Sequence, residues 1–126
     1  VNKKANHMAS RGRGARAKGA NFERELARKI RDIINIPAER GLAQTRGGGE
    51  EVADVHMDHI HVEAKRHKRC NIKAALRQAI SDSENKEKLP VAITKDDRQP
   101  ILVTMLFDDW VKVFKPYVDL QESKES

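Results

Sequence analysis

Six residues, Ile60-His61-Val62-Glu63-Ala64-Lys65, constrain the fold most, because apolar and polar side chains alternate strictly through them. Such alternation marks a β-strand, in which successive side chains leave on opposite faces. Ile60, Val62 and Ala64 therefore share a face that packs inward, and His61, Glu63 and Lys65 share the other. A carboxylate and an ammonium then point together into one space at the end of a strand. Just upstream, Val52 to Met57 reads as a second strand, with Asp54 between two apolar neighbours. The two are joined by a tight connection around Asp58 and His59. Paired as a hairpin, they let Asp54 and Glu63 converge.

Helical spacing appears on both sides of this hairpin. Phe22, Leu26, Ile30, Ile33 and Ile34 predict an amphipathic helix over 20–34, which Pro37 prevents from continuing. Glu25 and Lys29 stand four apart with the acid first, the better order for a helix-surface pair. Leu42 to Arg46 is a short segment ending at Gly47-Gly48-Gly49, expected to be a mobile loop before Glu50-Glu51. After the hairpin, Ile72, Ala75, Leu76, Ala79 and Ile80 predict a second helix reaching about Asp82. A polar linker over 83–88 runs into Pro90. Val91 to Thr94 and Ile101 to Leu106 read as two more strands around the turn-rich 96–100. Phe107, Trp110, Val111 and Phe114 mark a last amphipathic helix, with Trp110 and Phe114 expected in the core. The polar end, 121–126, is expected to fray. Helix, strands, helix, strands, helix predicts an α/β fold: a small mixed β-sheet flanked by helices. A chain of 126 residues fits one domain. Its body is expected over 20–118, with 119–126 a frayed tail.

Charge is distributed unevenly. The net charge is +6, and residues 1–19 carry Lys3, Lys4, Arg11, Arg13, Arg16 and Lys18 with no acid. The rest of the chain is neutral. Residues 1–19 have almost nothing to bury and are expected to form a disordered basic arm. A basic, Gly-containing arm suits a polyanionic partner, nucleic acid before membrane. His7-Met8-Ala9-Ser10 reads as a cloning remnant with Met8 as native start, so the first seven residues carry no weight. No apolar run has the length a bilayer needs, and the basic start leads into Arg-Gly-Arg-Gly, unlike a signal peptide. The single cysteine, Cys70, cannot make an intrachain disulfide, which favours a reducing compartment. Its neighbours Lys68 and Arg69 are expected to lower its pKa, but no base is assignable and it reads as an ordinary thiol.

The hairpin residues suit phosphodiester hydrolysis. Two carboxylates can hold Mg²⁺ or Mn²⁺ while leaving positions open for water and a phosphate oxygen. A nearby lysine can orient that water or neutralise developing charge.

Asp54, eight residues, then Glu63-Ala64-Lys65 resembles the PD-(D/E)xK nuclease signature. Lys18-Gly19 followed by Phe22-Glu23-Arg24-Glu25-Leu26 resembles the opening of archaeal and phage Holliday junction resolvases. The resemblance covers about 18–115 in element order, with its motif residues inside 18–66. One departure is Ala53, where a proline usually precedes the aspartate. The resemblance implies a restriction-endonuclease-like fold and a metal site of Glu23, Asp54, Glu63 and the Ala64 backbone carbonyl. It also implies Lys65 beside the nucleophile, a divalent ion (Mg²⁺, with Mn²⁺ able to substitute), and a homodimer acting on branched DNA. Gln78 resembles a glutamine found on the following helix in many such nucleases.

DNA contacts are expected from Arg11, Arg13, Arg16 and Lys18, from the Arg46-Gly47-Gly48-Gly49 loop, and from Arg66, Lys68 and Arg69 as a phosphate clamp. Lys73, Arg77 and Gln78 share the second helix and join that set. His56, Asp58, His59 and His61 invite a zinc reading, but they crowd into one connection without cysteine and read better as solvated loop histidines. His61 is placed to line the site beside Glu63. The expected activity is junction resolution by a homodimer, with the interface sought on the last or second helix. A flap-, nick- or end-specific nuclease with the same site is the second reading, and a non-catalytic nucleic-acid-binding module the third. The expected setting is the cytoplasm of a prokaryote or phage-infected cell.

Overall fold

The computed structural model describes the backbone of residues 3–41 and 53–125, with side chains from residue 14 onward. Helix α1 spans Lys3–Lys29 and continues as a π-helical turn, Ile30–Ile34. Strands β1 (Ala38–Arg40), β2 (Val55–Met57) and β3 (Ile60–His67) follow. Helix α2 spans Ile72–Asp82, strands β4 and β5 span Leu89–Asp96 and Leu102–Thr104, and helix α3 spans Phe107–Glu125. The five strands form one mixed sheet in the order β1-β2-β3-β4-β5. All neighbours are antiparallel except β3 and β4, which run parallel with Glu63 opposite Ala92. The expected α/β architecture, a mixed sheet with flanking helices, is what the chain forms.

A parallel pair needs a crossover, and α2 supplies it. That crossover covers the β3 face which the sequence pattern left open. Ala75 and Ala79 are buried on α2 and Ala92 on β4, and these small side chains bring the helix close to the sheet. His61 and Glu63 end up beneath it, 1% and 4% exposed. The opposite face receives α1, where Phe22, Leu26 and Ala27 pack on Ala38, Val55, Met57, Val62, Ala64, Val91 and Ile93. Cutting Phe22 back to Ala in such a core costs about 3–5 kcal/mol.

Several boundaries differ from the sequence reading. Residues expected as a disordered arm belong to α1 from Lys3 onward, because Ala, Arg and Lys propagate a helix readily once a buried segment nucleates it. Ile33 and Ile34 are exposed, since the π-turn shifts the phase of the apolar stripe. Asn35 closes that turn in the left-handed region at φ 62°, donating its N–H to the Arg31 carbonyl at 3.1 Å. β1 was not foreseen, and the Leu42–Arg46 segment and the glycine loop fall outside the described residues. The expected tight connection at Asp58-His59 is present, with His59 at φ 76° and the Ile60 N–H donating to the Asp58 carbonyl at 2.9 Å. α2 keeps its expected limits, capped by Asn71, whose side chain accepts from the Ala74 N–H at 3.0 Å.

The last helix departs most. Trp110 and Phe114, expected in the core, are 43% and 41% exposed. α1 and α2 already occupy both sheet faces, so α3 finds no apolar surface to cover, and its contact with the other elements is marginal. It also runs to Glu125, through the part expected to fray.

Candidate active site

β2 begins one residue after Asp54, so its pairing with β3 runs out at Asp54, and this gives the site its form. The Asp54 N–H still donates to the Val62 carbonyl at 2.9 Å. Two residues further along β3, the Asp54 side chain takes over: its Oδ2 accepts the Ala64 N–H at 2.8 Å. A strand residue's N–H and C=O leave on the same side. The Ala64 carbonyl therefore faces the edge that β2 has vacated, where the Asp54 carboxylate stands.

Glu23 reaches this edge from α1 and is held by Arg40 of β1, Nε to Oε2 at 2.7 Å. From β3, Lys65 Nζ meets Glu63 Oε1 at 3.0 Å. Glu23, Asp54, Ala64 and Lys65 line one cleft of about 330 Å³, with Arg16 and Gly19 of α1 on its other wall. Glu63 lies behind it, buried under α2.

Electrostatics ties the four ionisable groups together. Burial pushes the Glu63 carboxyl up from 4.5 to about 7, and nearby Asp54 adds to the shift against the pull of Lys65. Burial likewise raises Glu23, with Arg40 opposing and Asp54 reinforcing. Burial acts to lower Lys65, but its hydrogen bond to Glu63 and the charges of Glu63, Asp54 and Glu23 outweigh it, so its pKa rises. Mutually repelling carboxylates and an oriented carbonyl are a hard-oxygen donor set, which fits Mg²⁺ or Mn²⁺.

The family model described as "Phage putative PDDEXK endonuclease" matches residues 14–124. The chain belongs to this family. No curated protein and no solved structure matches it. As a PD-(D/E)xK nuclease superfamily member it has the restriction-endonuclease-like sheet, and nucleases of this class act on DNA and usually use a divalent metal. No helix among the described residues is long and apolar enough to cross a membrane.

The expected DNA-contacting residues are distributed unequally in this PD-(D/E)xK chain. Arg16 stands at the cleft. Lys18 and Arg66 do not stand open: both are held by Asp97, Lys18 at 2.7 Å, and Arg66 also donates to the Lys95 carbonyl at 3.4 Å. Together they hold the Asp97 carboxyl down at about 2. Lys68, Arg69, Lys73, Arg77 and Gln78 are exposed, and the four cations make no ion pair among the described residues. Arg11 and Arg13 lie within α1, but their side chains, like Arg46 and Gly47–Gly49, are outside the described residues.

Burial raises the pKa of Cys70, and its hydrogen bond with Asp96 reinforces this. The lowering that Lys68 and Arg69 could supply does not prevail, because burial outweighs it and Asp96, which also accepts the Cys70 N–H at 2.8 Å, adds to the rise. Sequence reasoning missed Arg40 and Asp97. Each acts through a partner far away in the chain, and no local pattern marks such a pairing.

Proposed function

We propose that the protein is a divalent-metal-dependent endodeoxyribonuclease that resolves four-way DNA junctions as a homodimer. Glu23, Asp54, Glu63 and the Ala64 carbonyl are the proposed metal ligands, and Lys65 the proposed partner of the nucleophile. The observation that carries this reading is the Asp54 carboxylate at the Ala64 N–H, on a vacated sheet edge that Glu23 and Lys65 also reach. A bound Mg²⁺ would neutralise the scissile phosphate and acidify the attacking water. The chain's own residues supply the rest. Asp54, fixed by its hydrogen bond, is already oriented. Lys65, whose raised pKa keeps it charged, stands where negative charge develops. Arg16 at the cleft and the exposed Lys68, Arg69, Lys73 and Arg77 supply phosphate contacts.

Junction selectivity rests on the resemblance of the Lys18-Gly19 and Phe22–Leu26 opening to junction resolvases. The dimer is supported by α3. Phe107, Trp110, Val111, Val113, Phe114, Tyr117 and Leu120 are all exposed along it, and Leu106 is exposed just before it. Trp110 stacks on Phe114 at 4.7 Å, and Phe107 and Tyr117 extend the row. With aromatic side chains of ~150–250 Å², the exposed parts come to roughly 800 Å², matching the ~800 Å² per partner of a standard interface. Monomers rarely expose so large an apolar patch. The helix carries five acids against three bases, which disfavours DNA as its occupant and leaves a second copy. Two copies provide the two sites needed to nick opposed strands.

The test is a panel of labelled four-way junction, flap, linear duplex and single strand in Mg²⁺. Symmetric paired nicks in the junction alone are expected. Cleavage of flap or duplex instead would overturn the resolvase reading and keep the nuclease. Tight binding with no cleavage of any substrate would overturn both.

A further inference from the structure

Strand alternation puts His61 and Glu63 side by side under α2, and α2 ends at Asp82, facing them. One ligand atom from each of His61, Glu63 and Asp82 lies within 4.8 Å of the others. His61 is 1% exposed, and its Nε2 is buried without a hydrogen-bond partner among the described residues. Leaving such an atom unsatisfied is costly, and a native orphan of this kind calls for a missing partner. We propose that His61, Glu63 and Asp82 form a second cation site. It is selective for ions that accept an imidazole ligand, such as Zn²⁺, Mn²⁺ or Co²⁺, over Mg²⁺, and it sits on the α2 side of Glu63.

The donor chemistry sets the selectivity. One nitrogen and two carboxylates suit borderline transition ions, whereas Mg²⁺ prefers oxygen alone and holds its water tightly. An imidazole must be neutral to ligate. Burial lowers the His61 pKa, helped by Lys86 and Lys88 and opposed by Asp82. Lys88 is turned away from the carboxylates, its Nζ donating to the Met57 carbonyl at 2.8 Å. Lys65 occupies Oε1 of Glu63.

The site needs only its three residues. That Glu63 is shared with the metal ligands facing Asp54 rests on the functional reading above. If both hold, an ion on the His61 side draws the Glu63 carboxylate away from Asp54.

The experiment uses the full chain, metal-free, titrated calorimetrically with Zn²⁺ and Mn²⁺, alongside ¹⁵N spectra of its five histidines. Zn²⁺ is expected to shift the His61 Nε2 resonance, and Asp82→Asn to weaken that binding tenfold or more. Asp54→Asn is expected to leave it in place. Unchanged Zn²⁺ affinity in Asp82→Asn, or Zn²⁺ binding that leaves His61 Nε2 unmoved, would overturn the proposal. Because these readouts are binding and spectra, an inactive wild-type protein would count against the nuclease reading and not against this site.

Discussion

Glu63→Gln should make the metal-free protein more stable while abolishing cleavage. The carboxyl is 5% exposed, and burial with Asp54 beside it raises its pKa from 4.5 to about 7. The folded chain therefore holds the Glu63 proton in a range where the unfolded chain has released it. Stability contributed by this group is lost as pH rises from about 4.5 to about 7, the reverse of an ordinary salt-bridged acid. At ~1.36 kcal/mol per pH unit, the loss comes to about 3 kcal/mol by pH 8. Gln copies the protonated shape without the charge, and forfeits the Lys65 ion pair, whose partner is a third exposed and can turn to water. The expected gain over wild type in EDTA is thus about 2–3 kcal/mol at pH 8, shrinking to near zero at pH 4.5. His61, with its lowered pKa, titrates over part of the same range with the opposite sign, since its stability contribution is lost on acidification. Taking the difference between variant and wild type removes the part of it that does not depend on Glu63. Urea denaturation at pH 4.5, 6 and 8 gives the measurement. A variant equal to or weaker than wild type at pH 8, or a gap that widens toward acid, would refute the account of a charge-strained carboxylate.

Asp54→Ala should abolish Mg²⁺-dependent cleavage at least a hundredfold and free the Ala64 N–H, seen as faster amide exchange at that residue. Phe114→Glu, on an exposed face, should leave the fold intact and turn a dimer into a monomer by light scattering; a protein that is monomeric before substitution would contradict the α3 interface. Asp97→Asn releases both Lys18 and Arg66. DNA binding should tighten, and the slope of log affinity against log salt should steepen by about 1–2, measured by anisotropy between 50 and 200 mM salt. Mg²⁺ added at pH 6 should release a proton from Glu63, so calorimetric heats should vary with the buffer's ionisation enthalpy.

Asp54, Glu63, Ala64 and Lys65 of the candidate site were legible because they lie on one hairpin. Alternation alone put Glu63 and Lys65 on one face, and a tight Asp58-His59 connection brought Asp54 back toward them. Alternation could not tell that this face would be covered. Parallel pairing with β4 and the alanines of α2 decide that, and they bury His61 and Glu63. β1 was illegible because Ala38-Glu39-Arg40 offers three residues without a β-branched side chain. Arg40 therefore went unnoticed as the partner of Glu23. On α3 the periodicity predicts a helix with an apolar stripe, which is present, but it does not specify what covers that stripe, and the sheet has no face left to offer. The basic start was read from composition as disordered, although Ala, Lys and Arg are also good helix formers joined here to a buried helix.

The most direct test of the central claim is cleavage of a labelled four-way junction by wild type and Asp54→Asn, each in Mg²⁺ and in EDTA. The account predicts cleavage by wild type in Mg²⁺ only, with the variant inactive yet still binding the DNA. Cleavage that survives EDTA, or an Asp54→Asn protein that cuts as well as wild type, would contradict it.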